Sequence, residues 1–304
     1  MRGEVLAWRD ALHEGPVPAG DVSAVREARV AFAASRGWLP REVVEAWMRE
    51  RDERLAAALG REPVVLWFEH DLYDQLQLIQ VLARVPAELA GDGLLEAIVV
   101  DRVAGRPRFR GLGELAGAEL AALWPLRRPL EGAALEAARR AWAAFTGPDP
   151  RALEEPLDAL PLLRPALRRL LEEHPAVGDG LSRSERQALR AAADGAADPL
   201  ALFLATQDME EAPFSGDRQF WDLLLALAAG DPPLLALSDP KALRGGEPHG
   251  VEVELTEAGA GVLEGRADAV ALRGVDRWIG GVHLHGTTVP WRWDPAAGRI
   301  IAFG

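Results

Sequence analysis

The chain has 304 residues, 49% of them hydrophobic, a formal net charge of -13 and no cysteine. This length allows two domains, and this composition is that of a globular protein with a substantial core rather than of a disordered chain. The lack of cysteine excludes disulfides, thiolate metal ligands and cysteine nucleophiles. The negative charge repels polyphosphate backbones, so nucleic acid is not expected as a partner.

Signals for export or for membrane insertion are missing from the sequence. The N-terminal stretch MRGEVLAWRD does not have the basic-then-apolar pattern of a secretory signal. No stretch approaches the roughly 18 consecutive apolar residues of a membrane span. The sequence therefore predicts a cytoplasmic protein without a membrane partner. Lys241, the single lysine, lies in a loop-like segment, so covalent amine catalysis is not expected.

The first third of the chain alternates short apolar runs with helical patterns. The runs at residues 4–8 (EVLAW), 64–68 (VVLWF) and 95–100 (LEAIVV) predict strands, and the segments 21–38 and 40–59 have helical spacing. Strands that alternate with helices pair in parallel through right-handed crossovers. We therefore predict an α/β domain in residues 1–110, with an open, mainly parallel sheet flanked by helices.

The rest of the chain is predominantly helical and ends in a hairpin pattern. Residues 111–175 have helical spacing interrupted by prolines, which predicts a helical connector. In residues 176–304, Ser182 and Glu185 fit a capping box, further helices follow, and VPWRWDPAAGRIIAF is typical of a hairpin that turns at residues 294–298. This order predicts a C-terminal α+β domain of winged-helix type.

Polar side chains follow two of the three predicted strands. In open parallel sheets, ligands bind beyond the carboxyl ends of the strands, where the loops converge and helix N-termini point. If the strands at 4–8 and 64–68 are parallel neighbours, we expect both sets of polar groups to share one crevice. They are Arg9, Asp10, His13 and Glu14 in WRDALHEGPVP, and Glu69, His70, Asp71 and Asp74 in VVLWFEHDLYDQLQL.

Four of these side chains are candidate catalytic groups. His13 or His70 would serve as acid or base, and Glu69 and Asp10 would orient it. The ligand itself would contact Arg9, through an anionic group, and Glu14, Asp71 and Asp74.

Some of the same side chains also have a structural interpretation. Asp71 fits a helix N-cap, and Asp74 fits an acidic residue that complements the helix dipole. His13 could be a hydrogen-bonded histidine in a loop stiffened by proline. Both interpretations stay open at this stage.

The C-terminal stretch GVDRWIGGVHLHG is rich in aromatic residues and glycine. Asp276, Arg277 and Trp278 are further candidate ligand contacts, and the alternative is a surface ion pair beside a core tryptophan. His283 and His285 point to the same face of a strand and could bind metal, but the sequence shows no third ligand. Neither HExxH nor an aspartate-rich loop occurs, so no metal and no cofactor is assigned.

Several segments resemble one bacterial family, the domain of unknown function 1835 (DUF1835). They lie at 8–18, 64–78, 180–189 (GLSRSERQAL), 210–217 (EEAPFSGD) and 272–284 (LRGVDRWIGGVHL). The family is uncharacterised, so the resemblance implies no catalytic assignment. Its members usually begin with an additional strand and a Gly-Asp-Ser loop before the strand matched here by EVLAW. We therefore expect a first strand of the sheet to be missing, and Met1 is in doubt as the native start.

Two functions from different classes fit these patterns. One is an enzyme or binder of a polar, nucleotide-like small molecule at the carboxyl edge of the N-terminal sheet. The other is a regulatory or protein-interaction module that uses the winged-helix-like domain. Residues 176–304 hold 11 Lys and Arg against 19 Asp and Glu, which is a poor electrostatic footprint for DNA.

Overall fold

The fold is a mixed α/β structure, seen in a computed structural model that describes residues 3–91, 93–106, 108–155 and 157–303. The chain divides into two compact units. Unit 1 takes in the described residues of Met1–Arg168 and Gly280–Val282, and unit 2 those of Arg169–Ile279 and His283–Gly304. None of the helices in the described ranges combines the length and the apolar composition needed to cross a bilayer.

The helices in chain order are α1 (Val22–Ser35), α2 (Arg41–Ala58), α3 (Leu72–Ala83), α4 (Gly117–Leu123), α5 (Gly132–Thr146), α6 (Leu163–Leu171), α7 (Arg183–Ala193), α8 (Pro199–Met209), α9 (Asp217–Ala229), α10 (Pro240–Gly245), α11 (Glu257–Leu263) and α12 (Ala269–Arg273). The strands are β1 (Gly15–Pro16), β2 (Val64–Glu69), β3 (Leu95–Val100), β4 (Arg128–Pro129), β5 (Leu235–Leu237), β6 (Val253–Leu255), β7 (Val275–Gly280), β8 (Val282–Gly286), β9 (Trp291–Asp294) and β10 (Arg299–Ala302).

Two of the three strands expected near the N-terminus form as predicted. β2 and β3 pair in parallel, with Val64 opposite Leu95 and Glu69 opposite Val100. β4 adds an antiparallel partner on the other side of β3. The sheet is therefore three-stranded and mixed in the described part of unit 1. Its parallel pair still brings two carboxyl ends to one edge.

The predicted strand at residues 4–8 is wrong. This segment forms no strand, and Val5 is 86% exposed. Its conformation is fixed instead by Trp8, whose indole N–H donates to Gln80 Oε1 at 2.8 Å and whose ring lies 4.1 Å from the Arg51 guanidinium. A cation–π contact and a hydrogen bond thus anchor Trp8, and they take the place of strand pairing in this segment.

The core of unit 1 lies along α3 and beside β3. The apolar face of α3 is buried at Leu72, Leu76 and Ile79, and α3 packs against α5. Ile98 and Val100 of β3 belong to a second cluster of buried residues. Burial of a side chain of this size contributes about 1.5–3 kcal/mol. This packing holds the end of β2 and the start of α3 in fixed positions.

Buried arginines hold the segment before β1. Arg29 of α1 donates to Asp10 and to the backbone carbonyls of Ala11 and Glu14. Arg51 of α2 is also buried and donates to the carbonyl of Arg9 at 3.4 Å. Since buried polar backbone groups need partners, these guanidinium groups supply the donors that strand pairing would otherwise provide.

Unit 2 contains a helical core, and among its described strands β5 pairs with β6 and β9 with β10, both antiparallel. Buried residues of α7, α8 and α9 form one cluster with residues of β5, β6 and α11, and β5 pairs with β6. The predicted capping box is confirmed, because Ser182 Oγ accepts from the Glu185 N–H and Glu185 accepts from the Ser182 N–H. The predicted hairpin is also confirmed, with β9 and β10 antiparallel and Asp294 opposite Arg299.

Candidate functional site

The candidate site of unit 1 begins where β2 ends and α3 starts. Asp71 caps α3, since its Oδ1 accepts from the Asp74 N–H at 2.9 Å, which confirms the capping interpretation. Asp74 is turned back to the strand, where its Oδ2 accepts from the Glu69 N–H at 2.6 Å. Gln75 donates to the carbonyl of Glu69. These bonds fix the carboxyl groups of Asp71 and Asp74 and the backbone of Glu69 within one short turn.

The Glu69 carboxyl is held from two sides. Its Oε1 accepts from the backbone N–H of Leu112 at 2.5 Å, and it also hydrogen-bonds to the carboxyl of Asp71. A Cβ at Gly111 would overlap a Glu69 carboxyl oxygen. The backbone of residues 111–112 can therefore approach the carboxyl only because position 111 is glycine.

Burial raises the pKa of all three carboxyl groups above its ordinary value. The pKa of Glu69 is raised to about 7, chiefly by burial; the hydrogen bond from the Leu112 N–H lowers it and the neighbouring Asp74 raises it. Burial raises the pKa of Asp71 well above its ordinary value, with added repulsion from Asp74 and Glu69. Burial also raises the pKa of Asp74. Glu69 and Asp71 therefore share a proton, as two close carboxyls do.

His70 directly follows β2 and has Val100 and Asp101, at the end of β3, as neighbours. Its ring stacks on Phe109 with centroids 6.2 Å apart. Burial lowers the pKa of His70, while Asp101 and the carbonyl of Val100 raise it. Asp101 directly follows β3, as Glu69 ends β2, so the two carboxyl ends of the parallel pair do bring ionisable groups to one edge.

Sequence reasoning missed Asp101, Phe109, Gly111, Leu112 and Tyr73. The rule that selected Glu69 would have found Asp101, because Asp101 directly follows LEAIVV. Gly111 and Leu112 reach the carboxyl through the return of a loop, which the sequence does not specify. Tyr73 lies within α3, beyond the strand end that the carboxyl-edge rule selects.

The two predicted polar clusters meet at Tyr73. The His13 ring lies edge-on to the Tyr73 ring with centroids 6.2 Å apart. Burial raises the pKa of Tyr73 to about 12, with further contributions from Asp10 and Asp74. Asp10, His13 and Asp74 are therefore neighbours of one phenol, although the expected strand at 4–8 is absent.

Arg9 and Glu14 accept hydrogen bonds from buried arginines through their backbone carbonyls. The Arg9 side chain is exposed, and its carbonyl accepts from Arg51. The carbonyl of Glu14 accepts from Arg29 at 2.5 Å. Asp10 Oδ1 is engaged by Arg29, whereas its Oδ2 is buried with no hydrogen-bond partner among the described residues. The roles expected for Arg9, Asp10 and Glu14 stay predictions.

Asp276, Arg277 and Trp278 belong to unit 2. Arg277 donates to the carbonyl of Glu173 at 3.2 Å and pairs with Glu185. Asp276 is exposed and Trp278 is partly buried, and both contact His283. Their expected role as ligand contacts stays a prediction.

Comparison with known proteins finds no matching family model, no matching curated relative and no matching solved structure.

Proposed function

We propose that unit 1 contains an acid/base site, and that this site binds a polar small molecule at the carboxyl edge of β2 and β3. The observation that carries this proposal is the Glu69 carboxyl, which is partly open to solvent and has its pKa raised to about 7 by burial. A group with this pKa exchanges its proton at neutral pH, and general acid/base catalysis requires that property.

The groups around Glu69 support this role. The Asp71 carboxyl accepts or returns the shared proton, and the Leu112 N–H stabilises the ionised form of Glu69. His70, on the same edge, offers a second titrating group beside the carboxylate of Asp101. Burial is the largest cause at both groups: it raises the pKa of Glu69 and lowers that of His70, so it favours a neutral carboxylic acid near a neutral imidazole.

The chemistry of this edge favours a ligand with hydrogen-bond donors. Protonated and ionised carboxyls together bind hydroxyl and amino groups, such as those of a nucleoside, more readily than a phosphate. We propose a nucleotide-like ligand whose sugar or base contacts Glu69 and Asp71, with Arg9 meeting any anionic group. We also propose membership of the DUF1835 family, supported by the five segments named above, and a cytoplasmic location.

The test is a thermal-shift and calorimetric panel of nucleosides, nucleotides and sugar phosphates with the purified chain. We expect at least one ligand to raise the unfolding temperature of the wild type. The same ligand should bind Glu69→Gln at least tenfold more weakly. The pH dependence of its affinity should show a group that titrates near 7 in the wild type and not in this variant.

Glu62→Gln is the matched control, because Glu62 is exposed and precedes the opposite end of β2. This variant should bind the ligand as the wild type does. A panel without any shift would contradict the proposal, as would a ligand that Glu69→Gln binds with unchanged affinity and pH dependence.

A second candidate function rests on unit 2. Three helices packed with the antiparallel β5–β6 pair support a winged-helix-like arrangement, which is used for protein contacts as well as for DNA. The excess of acidic residues in 176–304 favours protein contacts. Binding of random duplex DNA that weakens with added salt would favour the DNA-binding form, and no binding at low salt would remove it.

A further inference from the structure

Three potential metal ligands of unit 2 meet on the neighbouring strands β7 and β8. They are Asp276, His283 and His285, and one ligand atom of each lies within 4.8 Å of the others. His283 Nε2 is 2.8 Å from Asp276 Oδ1, and His285 Nδ1 is 3.8 Å from Asp276 Oδ2. Asp276 is thus the third group that the sequence alone did not show beside the two histidines.

The strand geometry explains why these side chains converge. His283 and His285 are two positions apart on β8 and point to the same face, while the intervening Leu284 is fully buried on the other face. Their rings lie 5.5 Å apart. β7 is the hydrogen-bonded neighbour of β8 and carries Asp276. Hydrogen-bonded backbones therefore fix all three Cα positions.

Trp278 restricts the His283 ring further. The two rings stack almost parallel, at 3°, with centroids 4.3 Å apart. The imidazole is thereby held with Nε2 directed at the Asp276 carboxylate. A ligand whose rotamer is already fixed loses less conformational entropy when it binds a cation.

We propose that Asp276, His283 and His285 form a binding site for Zn²⁺ or a similar divalent transition metal. Bonds of about 2.0–2.1 Å to imidazole and carboxylate place tetrahedral donors about 3.3 Å apart. The two Asp276 oxygens lie 2.8 and 3.8 Å from the histidine nitrogens, and one ligand atom of each side chain lies within 4.8 Å of the others, so the side chains would draw together around the cation. The cation would take the place of the proton between His283 Nε2 and Asp276 Oδ1, and that proton would leave to solvent.

The donor set determines the class of metal. Two imidazoles and one carboxylate suit zinc, nickel, copper or ferrous iron, whereas calcium and magnesium prefer oxygen ligands. All three side chains are exposed, so water would complete the coordination sphere. Three protein ligands plus water is the arrangement of an open zinc site.

Calorimetric titration of the tag-free, full-length chain with Zn²⁺ in a non-chelating buffer tests this site. We expect one zinc ion per chain, weaker binding at acid pH because protons compete for the imidazole nitrogens, and no comparable binding of Ca²⁺ or Mg²⁺. His283→Ala, His285→Ala and Asp276→Asn should each weaken zinc binding roughly tenfold or more.

His249→Ala is the matched control, since His249 is another exposed histidine of unit 2. It should leave zinc affinity unchanged. Because all three ligand side chains are exposed, circular dichroism should show that their variants fold. An absence of zinc binding up to the millimolar range would overturn the proposal, and so would zinc binding that the three variants leave intact.

Electron paramagnetic resonance with Cu²⁺ in place of Zn²⁺ counts the imidazole ligands directly. We expect coupling to two imidazole nitrogens in the wild type and to one in His285→Ala. A wild-type spectrum with fewer than two coupled nitrogens would contradict the site.

Discussion

Arg29 Nη2 lies 2.7 Å from Asp10 Oδ1, and these side chains are only 1% and 3% exposed. Burial of two charges is costly, and their attraction offsets that cost only while both partners are present. The remaining donors of Arg29 go to backbone carbonyls. The pair therefore fixes the segment that carries His13.

Loss of the Asp10 charge should strongly destabilise the protein. In Asp10→Asn, the Arg29 guanidinium stays buried without its counter-ion, so we expect the free energy of unfolding to fall by about 3–5 kcal/mol. Urea unfolding measures this change. The double variant Asp10→Leu with Arg29→Met should lose less than the sum of the single losses, because it leaves no buried charge.

The exposed pair Arg49–Glu45 provides the comparison, with side chains 52% and 45% exposed. Glu45→Gln should change the free energy of unfolding by less than about 1 kcal/mol. Equal losses in Asp10→Asn and Glu45→Gln would contradict the buried pair as a structural anchor.

The titration of Glu69 should make the protein less stable as the pH rises through neutrality. Its pKa is about 7 in the folded state and about 4.5 in the unfolded state, so between these values the folded state binds more protons. The stability that this group contributes is therefore complete below pH 4.5 and is lost as the pH rises through 7. Because the carboxyl is partly open to solvent, we expect a loss of about 2 kcal/mol.

Glu69→Gln keeps the size of the side chain and removes this titration. The difference in unfolding free energy between wild type and variant should grow in favour of the variant from pH 5 to pH 8. Chemical unfolding at several pH values measures it. A difference that is constant over this range would show that the carboxyl has an ordinary pKa.

Gly111→Ala should disturb the same carboxyl from the other side. The new Cβ would overlap a Glu69 carboxyl oxygen, so Glu69 must move and its bond with the Leu112 N–H must lengthen. We expect a destabilisation of about 1–3 kcal/mol, as for other overpacked sites. Gly113→Ala is the matched control, because a Cβ there meets nothing within 4 Å, and its effect on thermal unfolding should be small. Equal effects would argue against the close approach.

Local patterns predicted most of the elements around the site. β2, β3, α1, α2 and the cap at Asp71 follow from apolar runs, helical spacing and capping chemistry. The segment 4–8 was predicted wrongly because a five-residue apolar run does not reveal its partner. Here the partners of Trp8 are Arg51 and Gln80, which are 43 and 72 positions away in sequence.

The candidate site was predictable only where it depended on strand ends. The carboxyl-edge rule selected Glu69, His70 and Asp71 from one strand, and the same rule applied to β3 points to Asp101. The approach of Leu112 to Glu69 spans 43 positions and depends on tertiary packing. The same limit applied to Asp276, which comes next to His283 only through the pairing of β7 with β8.

His174 should give a pH dependence opposite to that of Glu69. It is fully buried just after the end of α6, its Nδ1 lies 3.1 Å from the carbonyl of Leu171, and burial lowers its pKa from 6.5 to about 4. Between pH 4 and 6.5 the unfolded state therefore binds more protons, so stability falls as the pH falls through this window. Once the pH is below the folded-state pKa, the whole shift corresponds to a loss of about 3 kcal/mol in the free energy of unfolding.

The opposing slopes of Glu69 and His174 partly cancel in the wild type, so the variants are more informative than the wild type alone. His174→Leu should flatten the loss of stability on acidification between pH 6.5 and 4.5, whereas His249→Gln, at an exposed histidine, should not.

Glu173 does not obscure this window. Arg169 and Arg277 lower its pKa to about 2 against the opposing effect of burial, so its contribution to stability is lost only below pH 4.5. Urea unfolding at half-unit pH intervals measures the slopes. If His174→Leu and wild type lose stability in parallel from pH 6.5 to 4.5, His174 does not stay neutral in the folded protein.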